Sequence, residues 1–287
     1  MVLIDDSFLK QVSTGVYDKN VKNIEISLPF CYFVYTVDKV FYISINGNVW
    51  EVKKKQAVFI NKSVPFSILL NWGEGENCLV RKDIIGIRIS QKAITDYTKR
   101  YLGEANISET SKNKEFITID FSQNEKDMIE LLDKLVRTLP VENVLGDLNA
   151  NHVTEAKYNL LLSMMRDKEI GIDGIIRSCS PPTTADKVAS LIMNDYSKNW
   201  KSQEIAYELN MSVSTLKRKM YSDTGSISHF ITRMKMVEAL RQLRRTDRTI
   251  GVIALSLGYT SPSYFTLVFK KTFNIFPSDV RKNDSIL

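Results

Sequence analysis

The run Ser214-Thr215-Leu216-Lys217-Arg218-Lys219 holds side chains well suited to reading a polyanion. A guanidinium such as that of Arg218 is a planar fork that can meet the edge of a guanine with two parallel hydrogen bonds. Ser214 and Thr215 add hydroxyls that donate or accept, while Lys217 and Lys219 are compact charges suited to phosphates. Arg218 itself can serve as a base reader or as a phosphate contact, and the sequence leaves both open. A second polar run comprises Ser261, Ser263 and Thr266, followed by Lys270 and Lys271. It lacks a long polar reader, because Leu267 stands in its place. Hydroxyls bond several base edges, so this run should discriminate weakly, with the leucine on a thymine methyl and the lysines on phosphates.

Catalytic chemistry has no comparable set of residues. The only histidines, His152 and His229, lie 77 positions apart, and the chain has neither a P-loop nor a Gly-x-Gly-x-x-Gly run. Three cysteines, Cys31, Cys78 and Cys179, show no metal-ligand spacing, and the strand-rich region contains no histidine. The expectation is therefore no enzyme, no catalytic residue, no cofactor and no metal. An odd number of cysteines fits free thiols in a reducing cytoplasm. No leader-like N-terminus and no apolar run of about 18 residues is present, so no membrane partner is expected.

The elements that must position these polar runs appear as one pattern written twice. The first copy is Ile205-Ala206-Tyr207-Glu208-Leu209-Asn210, then Ser212, Ser214 and Leu216. The second is Ile253-Ala254-Leu255-Ser256-Leu257-Gly258, then Thr260, Pro262 and Tyr264. Read this way, the offset is 48 residues throughout. A small alanine lets two helices approach, a residue tolerant of positive φ turns the corner, and Leu216 or Tyr264 anchors the following helix. This is helix-turn-helix spacing, and it places the polar runs at the start of a helix that enters the major groove. Ser228 to Arg245 would form a helix of about 25 Å between the two units, setting them about one DNA turn apart.

Charge supports the same partner. The net charge is +6, and it is uneven. From Thr184 onward there are 16 Lys and Arg against 9 Asp and Glu, whereas the remainder holds 23 against 24. A basic excess confined to the segment with the doubled motif points to double-stranded DNA.

These residues resemble the AraC/XylS family of transcription regulators. The resemblance rests on Ile250, Ile253-Ala254, Gly258-Tyr259, Ser261, Ser263-Tyr264-Phe265, Phe269-Lys270-Lys271, Pro277 and Arg281, and in the first unit on Trp200, Ile205-Ala206, Met211-Ser212, Leu216, Arg218, Gly225, Arg233 and Ala239. It covers roughly the last 100 residues. It departs at Asn274, Phe276 and Leu267. The resemblance implies base reading by Arg218 and a homodimer; the expected function is a transcription activator that works with RNA polymerase.

Ahead of this segment, short aromatic and β-branched runs predict strands at 30–36, 40–45, 49–52, 57–60, 66–70 and 84–89, with Asn46-Gly47-Asn48 as a hairpin turn. The family's N-terminal domains are cupin-like barrels, which agrees. Helices are predicted from a Ser90 cap through Ile94, Tyr97 and Tyr101, from a Ser122–Glu125 capping box through Val136, and over 154–167. The expected fold is α+β: an N-terminal cupin-like β-barrel with helices, and an all-α C-terminal domain with two helix-turn-helix units. The expected domains are 1–170 for effector binding and dimerisation, 171–183 as a linker rich in Gly, Ser and Pro, and 184–287 for DNA binding, with Thr184 capping its first helix.

Arg88 lies between Ile87 and Ile89. It faces solvent, or it holds a ligand's carboxylate. The second reading comes from resemblance to the enteric virulence branch of the family, whose members sense fatty acids. That branch implies a fatty acid bound between the domains, its carboxylate on Arg88 and on a second basic residue at the end of the linking helix, Arg244 or Arg245, and it implies control of virulence or colonisation genes. A different class of function is a ligand-sequestering anti-regulator that kept the fold and lost DNA binding; Arg218 and the basic balance argue against it.

Overall fold

The structure, a computed structural model, describes residues 2–3, 28–36, 39–69, 85–103, 114–121, 130, 134, 152–169 and 171–285. These residues fall into two compact units that divide between Pro182 and Thr183.

In the first unit the strands are β1 Val2–Leu3, β2 Cys31–Tyr35, β3 Phe41–Ile45, β4 Asn48–Val52, β5 Gln56–Ile60, β6 Phe66–Leu69, β7 Ile85–Ile89 and β8 Phe116–Asp120. They form two four-stranded antiparallel sheets, ordered β1-β4-β3-β6 and β7-β2-β5-β8. The expected closed barrel is not formed among the described residues, because no ladder joins one sheet to the other. The β3–β4 turn is the predicted one, with Asn46 and Gly47 both at positive φ (49° and 80°) as a tight hairpin requires. Strand β8 lies outside the strand prediction; it adds an edge to β5, with Phe59 opposite Ile117.

The second sheet is covered on both faces, which is why its strands read as continuous apolar runs. Val34, Val58 and Ile60 face the first sheet's Phe41, Ile43, Ile45 and Val52. Cys31, Phe33, Tyr35, Phe59, Ile87 and Ile89 pack instead with residues of three helices. These are α1 Gln91–Tyr97, prolonged by a π turn over Thr98–Leu102, then α2 His152–Lys168 and α3 Ile172–Cys179. Ser90 caps α1 by accepting from the Ala93 amide. The capping-box helix predicted after Ser122 falls outside the described residues except for Glu130 and Lys134.

Helix α3 corrects the linker reading of 171–183. Ile172, Ile175, Ile176 and Cys179 recur at the spacing of one helical face, and all four are buried. The prolines that prompted the linker reading stand just after the helix, where they cannot interrupt it.

The second unit is all-helical: α4 Thr184–Asn194, α5 Ser202–Glu208, α6 Val213–Thr224, α7 Ile227–Arg245, α8 Ile250–Ser256, α9 Pro262–Phe273 and α10 Pro277–Ser285. Thr183, one residue before the predicted cap, closes the start of α4 with Asp186 in a reciprocal capping box. The long α7 packs against α4, α6, α8, α9 and α10, burying Phe230, Met234, Met236, Leu240 and Leu243. No described helix is long and apolar enough to cross a membrane.

Candidate nucleic-acid interface

Helices α5 and α6 are joined by Leu209-Asn210-Met211, and Asn210 takes the left-handed conformation at φ 52°. The Met211 amide donates back to the Ala206 carbonyl (2.8 Å), closing the corner. Ser212 then caps α6 by accepting from the Thr215 amide (3.2 Å). Leu216 and Met220 are buried, which turns Ser214, Lys217, Arg218 and Lys219 outward to solvent. Thr215 is half-buried, and its hydroxyl accepts from Ser212 (2.9 Å). Ser214, Arg218 and Tyr221 share one stripe at i, i+4 and i+7. Tyr221 is 78% exposed and was not among the predicted contacts; its three-residue spacing from Arg218 was the available signal.

Helices α8 and α9 repeat this plan. Gly258 turns the corner at φ 79°, and the Tyr259 amide donates to the Ala254 carbonyl (3.0 Å), as Met211 does to Ala206. The glycine is required twice over, since a Cβ there would stand 2.1 Å from the Ser197 carbonyl oxygen. After this corner the constant offset fails. One extra residue, Thr260, precedes the cap, and it is Ser261 that accepts from the Tyr264 amide (3.2 Å). The helices therefore correspond at 49 residues, not 48. Leu216 matches Phe265, which is fully buried, whereas the expected anchor Tyr264 is 61% exposed.

With the corrected register, Ser214, Arg218 and Tyr221 correspond to Ser263, Leu267 and Lys270. Ser263, Leu267, Lys270 and Lys271 are all exposed. Thr266 is half-buried, and its hydroxyl donates to the Pro262 carbonyl (2.9 Å). The Lys270 ammonium sits 4.0 Å from the centre of the Phe276 ring.

A buried polar frame supports the second pair. Lys235 on α7 donates to the carbonyls of Lys198 (3.1 Å) and Leu257 (2.9 Å). Burial lowers its pKa, while nearby Asp195 opposes that shift. Arg241 grips Glu238 with two hydrogen bonds of 2.7 Å, which raises the guanidinium's pKa despite its burial. Gln242 donates to the same carboxylate (2.9 Å) and accepts from Ser256 on α8 (3.3 Å). These bonds hold α7 and α8 together at the base of the second corner.

Residues 205–283 match the family model described as a helix-turn-helix domain. Across its length the chain is 26% identical over 255 residues to the transcriptional regulator SirC of Salmonella typhimurium, covering 85% of each. It is 32% identical over 139 residues to the transcriptional activator PerA of Escherichia coli, covering 48% of this chain and 50% of that one. The last third of the chain thus carries a helix-turn-helix domain of the AraC type, and the chain is similar to transcription regulators of that family. The fold extends beyond this matched domain. ToxT from Vibrio cholerae O395 aligns over 93% of the chain and 98% of its own, with a TM-score of 0.56 and 17% identity. A ToxT structure described as bound to an unsaturated fatty acid aligns over 90% and 92%, with a TM-score of 0.53 and 16% identity. Its relatives are regulators, not enzymes.

The two residues expected to hold an effector fall in different units. Arg88 lies on the face of β7 opposite Ile87 and Ile89, paired with Tyr32 on β2. It is half-buried, with its guanidinium 4.4 Å from the centre of the Phe30 ring. Its presence also opposes the rise that burial imposes on the pKa of Tyr158, whose hydroxyl donates to the Arg88 carbonyl (3.3 Å). Arg244 lies on α7, also half-buried.

Proposed function

We propose that this chain is a sequence-specific activator that binds double-stranded DNA through two helix-turn-helix units, α5–α6 and α8–α9. The observation that carries the reading is the stripe on α6, where Ser214 and Arg218 stand exposed above a buried Leu216 and Met220. An N-terminal helix stripe with a free guanidinium suits the major groove. Ser214, Thr215 and Arg218 read bases, while Lys217 and Lys219 hold phosphates. On α9, Ser261, Ser263 and Thr266 offer hydroxyls and Lys270 and Lys271 take phosphates. Residues from Thr184 onward form the DNA-binding domain, and the preceding unit serves dimerisation and effector sensing in the cytoplasm. At promoters the homodimer works with RNA polymerase, on virulence or colonisation genes as the family resemblance suggests. An activator's role is supported by likeness to PerA, which is itself a transcriptional activator.

A fatty acid is the proposed effector, supported by fold similarity to ToxT, for which a fatty-acid complex is known. Within this chain, Arg88 supplies a half-buried cation bordered by apolar residues of the sheets, which suits a carboxylate with an apolar tail.

Genome-wide footprinting of the full chain, with and without oleate and decanoate, tests the proposal. Discrete protected sites that fade with the fatty acid are expected. Uniform, sequence-independent protection would remove the specific-regulator reading, and sites indifferent to both acids would remove the effector. Each phosphate contact should add roughly 0.9 to the slope of log affinity against log salt, so a flat slope would also count against the interface.

A further inference from the structure

Lys235 lies near the middle of α7, buried, and it joins parts of both helix pairs. Its ammonium donates to the carbonyl of Leu257 at the end of α8 (2.9 Å) and to that of Lys198 (3.1 Å). Leu257 belongs to the corner of the second pair, whereas Lys198 lies in the turn that leads into α5 of the first. One residue earlier in that turn, the Ser197 carbonyl presses against Gly258 and leaves no room for a Cβ. The centre of the Tyr259 ring lies 5.8 Å from the same ammonium. We propose that Lys235 is a positioning residue: it fixes α6 and α9 at one separation, and the chain thereby discriminates the spacing of the two half-sites they read. This inference rests on the reading that both pairs engage DNA.

A tether can position two elements only if both of its ends are stiff. In the turn before α5, the Asp195 carboxylate accepts from the Ser197 amide (2.9 Å), the Ser197 hydroxyl (2.6 Å) and the Lys198 amide (3.1 Å). The Trp200 indole donates to the Asp195 carbonyl (2.9 Å), and the Lys198 ammonium lies 4.0 Å from the centre of the Trp200 ring. Helix α5 follows at once, its start closed by the Lys201 amide on Glu204 (3.0 Å). At the other end, a helix leaves its last carbonyls without internal partners and favours a cation there, which suits Lys235 to Leu257.

Packing links the pairs less directly. Helix α6 packs on both α5 and α7, so α5 reaches α7 by way of α6. Lys235 gives the turn ahead of α5 its own hold on α7, and the same nitrogen holds the second corner. Without the ammonium both carbonyls lose this donor, and the turn is released from the corner. One base pair added between half-sites shifts the second by about 3.4 Å and rotates it by about 35°. A rigid pair of recognition helices rejects that change, whereas a loosened pair adapts to it.

The half-sites are obtained by selection with the full chain from a randomised duplex library. Affinities are then measured for the selected duplex and for copies with base pairs inserted or removed between the halves. Wild type should lose about tenfold or more on a shifted duplex, at least the scale of one mismatched base pair. In Lys235→Met that ratio should fall to about threefold or less, since specificity is a difference of affinities and the penalty on the wrong spacing is relieved. Lys235→Arg keeps donors within reach and should retain most of the ratio. Partial unfolding lowers every affinity in proportion, so the ratio distinguishes positioning from stability. Asp195→Ala loosens the turn from an exposed position and should reduce the ratio by a smaller factor; it carries the test should Lys235→Met not fold. Variants as sensitive to spacing as wild type would overturn the tether and leave DNA binding by both pairs intact. A wild type indifferent to spacing, or a selected motif with one half-site only, would overturn the two-pair reading and the proposal with it.

Discussion

Helix pairs α5–α6 and α8–α9 bury the same positions and present different surfaces. Ile205 and Ala206 match Ile253 and Ala254, and Leu216 and Met220 match Phe265 and Phe269, all of them buried. Outside, Arg218 is replaced by Leu267 and Tyr221 by Lys270. The first pair thus carries a guanidinium where bases would be read, and the second carries an apolar side chain followed by two lysines. The corners differ too. Both turn residues are exposed, but Gly258 also lies against the Ser197 carbonyl and is followed by an inserted Thr260. Conserved burial with a divergent surface is what a scaffold reused for two unequal tasks requires.

The largest expected effect tests the register of that comparison. Phe265→Ala should destabilise the second unit by about 3–5 kcal/mol, the usual cost of emptying a buried aromatic site. Tyr264→Ala, one residue earlier, should cost less than about 1 kcal/mol, because its ring is mostly in water. Denaturant midpoints of the two variants decide the matter. Equal losses would restore an offset of 48 and undo the matching of Arg218 to Leu267.

The displaced register was hidden by residue types alone. Ser212-x-Ser214 can be laid on Thr260-x-Pro262 or on Ser261-x-Ser263, and only the second choice places a capping hydroxyl three residues before the amide it meets. The clue was present in Ser261-Pro262, since proline favours the first helical position after a serine cap. Helix α3 was missed for the opposite reason. Gly171, Gly174 and the two prolines drew the eye from Ile172, Ile175, Ile176 and Cys179, whose spacing already specified a buried face. The hairpin at Asn46-Gly47 and the long α2 were legible because local geometry and periodicity agree there. Separation of the strands into two sheets was not, because it depends on which strands pair, and similar apolar runs leave that undecided. Among the proposed contact residues, the exposure of Arg218 and its neighbours was legible from their spacing after the corner. Tyr221 escaped because aromatic residues on a helix are usually core.

A second test concerns the corners. Gly258→Ala should cost about 2–5 kcal/mol, combining left-handed strain with a collision against the Ser197 backbone that no rotamer can relieve. Asn210→Ala should cost about 1–2 kcal/mol, since strain acts there without the collision. Thermal melts of both variants would show whether the second corner is the tighter one; similar losses would mean that it is not.

Surface differences should appear in specificity rather than stability. Arg218→Ala should lose about 1–3 kcal/mol of discrimination between an operator and its mutated form, the worth of one bidentate base contact. Lys270→Ala should weaken both sequences alike. Leu267→Arg would sharpen the comparison, because it restores a long reader to α9 and should create a new sequence preference. Competition binding measures all three. An Arg218→Ala variant that weakens operator and mutant equally would reduce that arginine to a phosphate contact.

The smallest effect separates the corners by their response to alkali. Tyr259 is the counterpart of Met211, and burial, with Tyr264 adding, pushes its phenol up to about 12. In the unfolded chain a tyrosine ionises near pH 10. Between those values the folded state still holds a proton that the unfolded state has released, so raising the pH favours unfolding. The stabilisation tied to this group is therefore complete below about pH 10 and is lost as the pH approaches 12. Because the ring is only half-buried, water screens the effect and keeps it small. Tyr259→Phe removes the titration, so the stability advantage of wild type over the variant should shrink above pH 10. Urea midpoints at pH 8, 9, 10 and 11 provide the measurement. Parallel curves for the two proteins would show that Tyr259 is as indifferent to alkali as the methionine at the first corner.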